Sequence, residues 1–221
     1  TIELPNSSSI WIADKNTIGV NEPVKLTWTS DQNITFEKII TLDENYLFSV
    51  DQRVINNSGL SFDLYPYGLS KRQGIPEMQN FFILHEGPLS ITDGVLEEYD
   101  YDDLKDDKKI KHSSVGGWIG MTDKYWQTAI IPNQNEPVQQ TYSYSFVDNI
   151  DNFQTDIVGE RIAVSNNASI SHNFKIFAGP KIVNIIDKYM EEYGFDGFDR
   201  SVDFGWFYFL TKPIFNVLEF I

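Results

Sequence analysis

Along most of the chain, apolar and polar residues alternate with a period of two, in runs of β-branched and aromatic residues separated by turn formers. This is the feature that most limits the fold, because such runs suit strands with one buried face and suit helices poorly. Runs at Val24–Thr29 and Phe36–Leu42 precede a longer one in which Tyr46, Phe48, Val50, Gln52 and Val54 share a face, closed by the turn signal Asn56-Asn57-Ser58-Gly59. Others lie at Ser61–Tyr65, Phe81–His85, Tyr125–Ile131, Gln140–Phe146, Arg161–Val164 and Ile170–Ala178. A spacing of roughly ten to twenty residues, with no helical repeat between the runs, predicts an antiparallel meander and excludes a βαβ architecture.

The pattern changes at Gly179-Pro180. Ile182, Ile185, Ile186, Tyr189, Met190 and Tyr193 follow the i, i+3, i+4 spacing of a single apolar helix stripe. Pro180 suits the helix start and Gly194 its stop. A loop from Phe195 to Arg200 leads into a second amphipathic segment, divided at Pro213, which lacks a backbone donor. The expected organisation is one domain, with a β body over residues 1–178 and a helical segment over 179–221.

Charge and chemistry narrow the function. Lys and Arg number 17 against 32 Asp and Glu, a net charge of −15, and no basic cluster offsets it, so nucleic acid is excluded as a partner. The absence of cysteine removes disulfides, thiolate metal sites and cysteine nucleophiles. Glu97 to Lys111, the most charged stretch, reads as a solvated loop or edge strand. Its aspartates at 100, 102 and 103 lack the glycine and distal glutamate of a calcium loop. No phosphate loop, nucleophile elbow or zinc-helix motif is present. The competing enzymatic reading is a sugar-binding or aldose-epimerase-like sandwich, in which His85 and His172 project into a shared groove and work with Glu86 or Glu160. Against it stands the simpler assignment of both as surface or satisfied histidines.

The two ends of the chain carry further expectations. Thr1 to Ile10 has neither the basic start nor the apolar stretch of a signal peptide, which points to a chain cut from a longer one. Val202 to Ile221 is densely apolar but interrupted by Asp203, Lys212, Pro213 and Glu219, so it suits lying on a membrane rather than crossing it. Trp206, Phe207, Tyr208 and Phe209 are consecutive, and one helix face cannot bury all four.

These residues carry a family resemblance. The run from Val202 to Phe215, VDFGWFYFLTKPIF, resembles the segment before the second transmembrane helix of YidC-type membrane-protein insertases. Gly116-Gly117-Trp118-Ile119-Gly120-Met121 with Tyr125 to Pro132 is similar to that family's GGW…ATAWIP region. Phe177-Ala178-Gly179-Pro180-Lys181 is similar to its (Y/F)xGPK motif, and Leu26 to Leu42 to its early strand pair. The matches keep the family's order across residues 26 to 221.

The resemblance implies the large periplasmic domain between the first and second transmembrane helices of an inner-membrane insertase from a Gram-negative cell. Its fold would be mainly β, a β-supersandwich of galactose mutarotase-like antiparallel sheets with C-terminal amphipathic helices. It further implies no enzymatic activity and no cofactor or metal. The implied role is accessory: aiding insertion and folding of nascent membrane proteins, alone or with auxiliary subunits of the Sec translocon, or holding unfolded segments in a groove. Trp206, Phe207, Phe209, Leu210, Pro213 and Phe215 become candidates for membrane-proximal or partner contact. Gly116, Gly117, Trp118, Pro132, Gly179, Pro180, Asp203 and Gly205 become structural motif positions, the glycine pair seating a buried Trp118.

Overall fold

The computed structural model describes residues 2–76 and 85–202. In chain order the elements are β1 (Ile12–Ala13), β2 (Val24–Thr29), β3 (Ile34–Leu42), β4 (Leu47–Asn56), β5 (Phe62–Leu64), β6 (Tyr67–Gln73), β7 (Gly87–Thr92) and β8 (Val95–Glu98). After α1 (Tyr101–Asp107) come β9 (Lys109–Val115), β10 (Trp118–Thr122), β11 (Trp126–Ile131), β12 (Pro137–Val147), β13 (Ile150–Gly159), β14 (Ile162–Val164) and β15 (Ala168–Pro180). Helix α2 (Val183–Tyr193) and a 3-10 turn at Phe198–Ser201 complete the described part.

The strands form a nine-stranded sheet in the order β1-β2-β3-β4-β15-β11-β10-β7-β8, a four-stranded sheet β6-β13-β12-β9, and the small pair β14-β5. All their ladders are antiparallel. The result is a mostly β sandwich of antiparallel sheets.

Three apolar clusters explain the layering. Between the large and the four-stranded sheet, Ile119, Ile130 and Phe174 pack with Tyr142, Phe153 and Ile157. On the opposite face of the large sheet, Ile186 and Tyr189 of α2 join Leu47, Trp118, Phe177 and Phe198. Near the far end of β3 and β4, Ile34, Phe36 and Val54 pack with Ile2, Trp11, Phe62 and Leu64, while Phe36 and Val54 still border an open hollow. Each fully buried side chain of this size contributes about 1.5–3 kcal/mol relative to exposure.

The structure moves several sequence expectations. Tyr46 lies outside β4 with a positive φ of 72°, while the alternation from Phe48 to Val54 is kept. Pro180 ends β15 opposite Trp126 instead of starting the helix, and the N-cap of α2 is Ile182, because the sheet ladder outlasts the composition change at Gly179. Gly194 is the left-handed C-cap, φ 66° and ψ 31°.

The charged stretch is neither one loop nor one strand. It holds the end of β8, the helix α1 and the start of β9, because Tyr101 and Leu104 at i, i+3 are both buried beneath a polar face. β9 is indeed an edge strand. His85 precedes β7 without belonging to a strand. The expected run at residues 81–84 lies outside the described residues, as do Asp203, Gly205 and the candidates Trp206, Phe207, Phe209, Leu210, Pro213 and Phe215. Among the described residues, no helix is long and apolar enough to cross a membrane.

Candidate functional site

The four-stranded sheet covers only part of one face of the large sheet. The register fixes what the rest of that face presents, since residues two apart along a strand project to the same side. Four rungs cross β2, β3, β4 and β15. The first is Trp28, Phe36, Val54 and Ile170, and the second is Leu26, Lys38, Gln52 and His172. The third is Val24, Ile40 and Val50, ending at Phe174 where the four-stranded sheet covers it, and the fourth, beyond the end of β2, runs Leu42, Phe48 and Ile176. From first to fourth is six residues, about 20 Å at strand rise.

Two hollows lie end to end on this floor. One, of about 570 Å³, has Val24, Ile40, Phe48, Val50 and Ile176 beneath it and the segment from Lys15 to Ile18 along its side. The other, of about 440 Å³, stands on Phe36, Lys38, Gln52 and His172, with Trp11 on one flank and the Tyr65-Pro66-Tyr67 corner on the other. Together they form a trough whose floor is apolar at both ends and polar at the second rung.

The polar rung is held in place by its surroundings. Gln52 Nε2 donates to the Tyr67 carbonyl at 3.0 Å, tying the floor to the edge strand β6. His172 Nε2 lies 2.9 Å from Glu136 Oε2, and its ring packs against Phe174 at 4.6 Å. The Lys38 ammonium lies over the Trp11 ring, 5.1 Å from its centroid.

The histidines do not converge. His85 Nε2 is 3.2 Å from the Pro88 carbonyl and its Nδ1 is 3.9 Å from Asp100, whereas His172 stands in the trough with Glu136. Glu86 accepts from the Lys124 backbone at 3.0 Å. The paired arrangement expected of a ring-opening enzyme is therefore not assembled from His85, His172 and Glu86. His112 belongs elsewhere, 2.8 Å from the Tyr99 hydroxyl.

The glycine-tryptophan motif builds a structural junction. Gly116 and Gly117 both have positive φ, 66° and 71°. A Cβ on Gly117 would stand 2.1 Å from the Ile91 carbonyl oxygen, and one on Gly116 2.4 Å from that of Gln134. Only glycine fits here. Trp118 is wholly buried, donates from Nε1 to the Asp196 carbonyl at 3.1 Å and meets Phe198 edge-on at 5.5 Å. Gln134 ties in the buried Pro132, donating to both the Pro132 and Gly117 carbonyls at 3.0 Å. Gly179 and Pro180 lie apart from this junction, near the end of β15, where a Cβ on Gly179 would stand 2.6 Å from Tyr46.

Sequence reasoning put Gln52 on one face of β4 without giving it a role, and did not single out Lys38 at all. The alternation of β4 marked its face, but the alignment of rungs depends on pairing with β15, more than a hundred residues away.

Comparison with known proteins adds the lineage. The family described as the YidC periplasmic domain matches residues 1–217. The membrane protein insertase YidC of Rickettsia canadensis is 39% identical over 221 residues, covering 100% of this chain and 40% of that protein. Its counterpart in Rickettsia rickettsii is 38% identical with the same coverage. The chain thus spans about 40% of the length of these curated relatives. Among solved structures, a galactose mutarotase related enzyme from Lactobacillus acidophilus superposes with a TM-score of 0.53 at 10% identity, over 76% of this chain and 70% of that one. At that identity the likeness concerns the fold alone.

Proposed function

The chain belongs to the YidC periplasmic-domain family, and from that premise we propose that it is the extracytoplasmic body of an inner-membrane insertase that receives extended segments of nascent membrane proteins in the trough. The relatives are named as insertases and not as enzymes. The domain works without bond making or a cofactor, by lowering the cost of keeping an apolar segment out of water until it enters the bilayer. The observation that carries the reading is the open face of the large sheet, where Ile40, Phe48 and Ile176 floor a hollow of about 570 Å³. A shape of this kind suits a strand-like apolar segment, which finds pockets for alternate side chains.

The helical segment continues this role toward the membrane. In this reading Trp206, Phe207, Phe209, Leu210, Pro213 and Phe215 are the membrane-proximal or partner-contact residues of a segment that couples the β body to a following transmembrane helix. Auxiliary subunits of the Sec translocon are the further partners in this reading. Its test is co-sedimentation of the chain with liposomes, with and without residues 203–221. The intact chain is expected in the pellet and the shortened one in the supernatant. Equal partitioning of the two overturns the interfacial role.

A further inference from the structure

We propose that the polar rung makes the trough selective, so that it takes extended peptide segments in which a carboxylate side chain lies between two apolar ones. This rests on the trough being a receptor for extended segments. It goes beyond that reading by naming what such segments carry.

The argument begins with Lys38. The chain has 32 acidic residues against 17 basic ones, so cations are outnumbered nearly two to one. Lys38 nevertheless stands half-buried on the trough floor and, among the described residues, takes part in no ion pair. Its ammonium rests over Trp11. An arriving carboxylate would gain a charge-assisted contact for which no ion pair of the described residues competes.

The nearby carboxylates are already committed. Asp63 pairs with Arg161 at 3.0 Å, and Glu136 with His172 at 2.9 Å. Glu37 belongs to the alternate set of β3 positions and, although it also borders the hollow, is already paired with Lys25 at 3.3 Å and Arg53 at 3.6 Å. None of them satisfies Lys38.

Spacing sets the pattern. The rung of Phe36, Val54 and Ile170 lies two residues to one side of Lys38, and that of Ile40 and Val50 two residues to the other. An extended peptide lying along the strands sends every second side chain to the floor with the same repeat. It therefore matches the trough when apolar, acidic and apolar residues occupy positions i−2, i and i+2. The match has a physical register, because a one-residue slip would turn all three away.

The test is fluorescence anisotropy of labelled seven-residue peptides with leucine at positions 2 and 6, serine elsewhere, and glutamate, glutamine or lysine at position 4. The glutamate peptide is expected to bind about tenfold more tightly than the glutamine one, the worth of a charge-assisted contact, with the lysine peptide weakest. Lys38→Gln should abolish the difference between the glutamate and glutamine peptides, whereas Lys25→Gln, on the opposite face of the sheet, should keep it. Equal binding of all three peptides, lost in Ile40→Gln, keeps the trough as receptor and overturns its selectivity. No binding by any peptide overturns the trough as receptor and the selectivity with it. Lys38-dependent capture of fatty-acid-bearing vesicles in preference to the peptides also overturns the proposal, in favour of a lipid carboxylate.

Discussion

At the scale of single residues, the junction around Trp118 makes the firmest demands. Trp118 fills fully buried space among Phe198 and its neighbours, so Trp118→Ala should cost about 3–5 kcal/mol of unfolding free energy. Chemical denaturation reads this directly, and an unchanged midpoint would contradict the packing. Tyrosines set a second, pH-dependent demand. Burial holds the phenols of Tyr142 and Tyr189 well above their ordinary range, and the Asp43 carboxylate adds to the shift at Tyr189. In the unfolded chain they ionise near pH ~10, while in the fold they stay protonated beyond that. The unfolded state therefore releases more protons, and stability present below pH ~10 is lost as pH rises above it. Tyr142→Phe should flatten this alkaline decline in a series of melting curves taken between neutral and strongly alkaline pH; an identical slope in both proteins would contradict the assignment.

Among the elements, α1 shows why the charged stretch misled. Asp102, Asp103, Asp106 and Asp107 dominate its composition, but only Tyr101 and Leu104 touch the core, and two anchors suffice for a helix of this length. Leu104→Ala should cost about 2–5 kcal/mol, measured by the midpoint of unfolding, whereas an exposed loop would tolerate it freely. Strands with one polar face, such as β2, β3 and β4, were legible from alternation. β7 was not, because all six of its residues are buried and leave no period to read. β6 was missed for the opposite reason: it lies at a sheet edge, and YGLSKRQ reads as a polar connection. α2 was legible in its stripe and its glycine stop, while its start was hidden because β15 continues through Pro180. A groove was expected from the resemblance, but its place and lining could not be read, since they depend on the register of β4 with β15.

On the scale of the whole molecule, unequal sheet size is what gives the domain a working surface. A four-stranded sheet cannot cover a nine-stranded one, and the small β14-β5 pair covers only the end near Val54. The rungs left open keep apolar side chains such as Ile40, Phe48 and Ile176, and these are the positions the proposed receptor role depends on. The most direct measurement is photo-crosslinking in the full-length protein during synthesis of a membrane-protein substrate, with the reactive group placed at Ile40 or Phe48 and, as a control, at Lys25, whose side chain projects to the opposite face of the sheet. Adducts with the nascent chain at Ile40 and Phe48 and none at Lys25 are the predicted result. Adducts of equal strength at all three positions, or at Lys25 alone, would contradict the account.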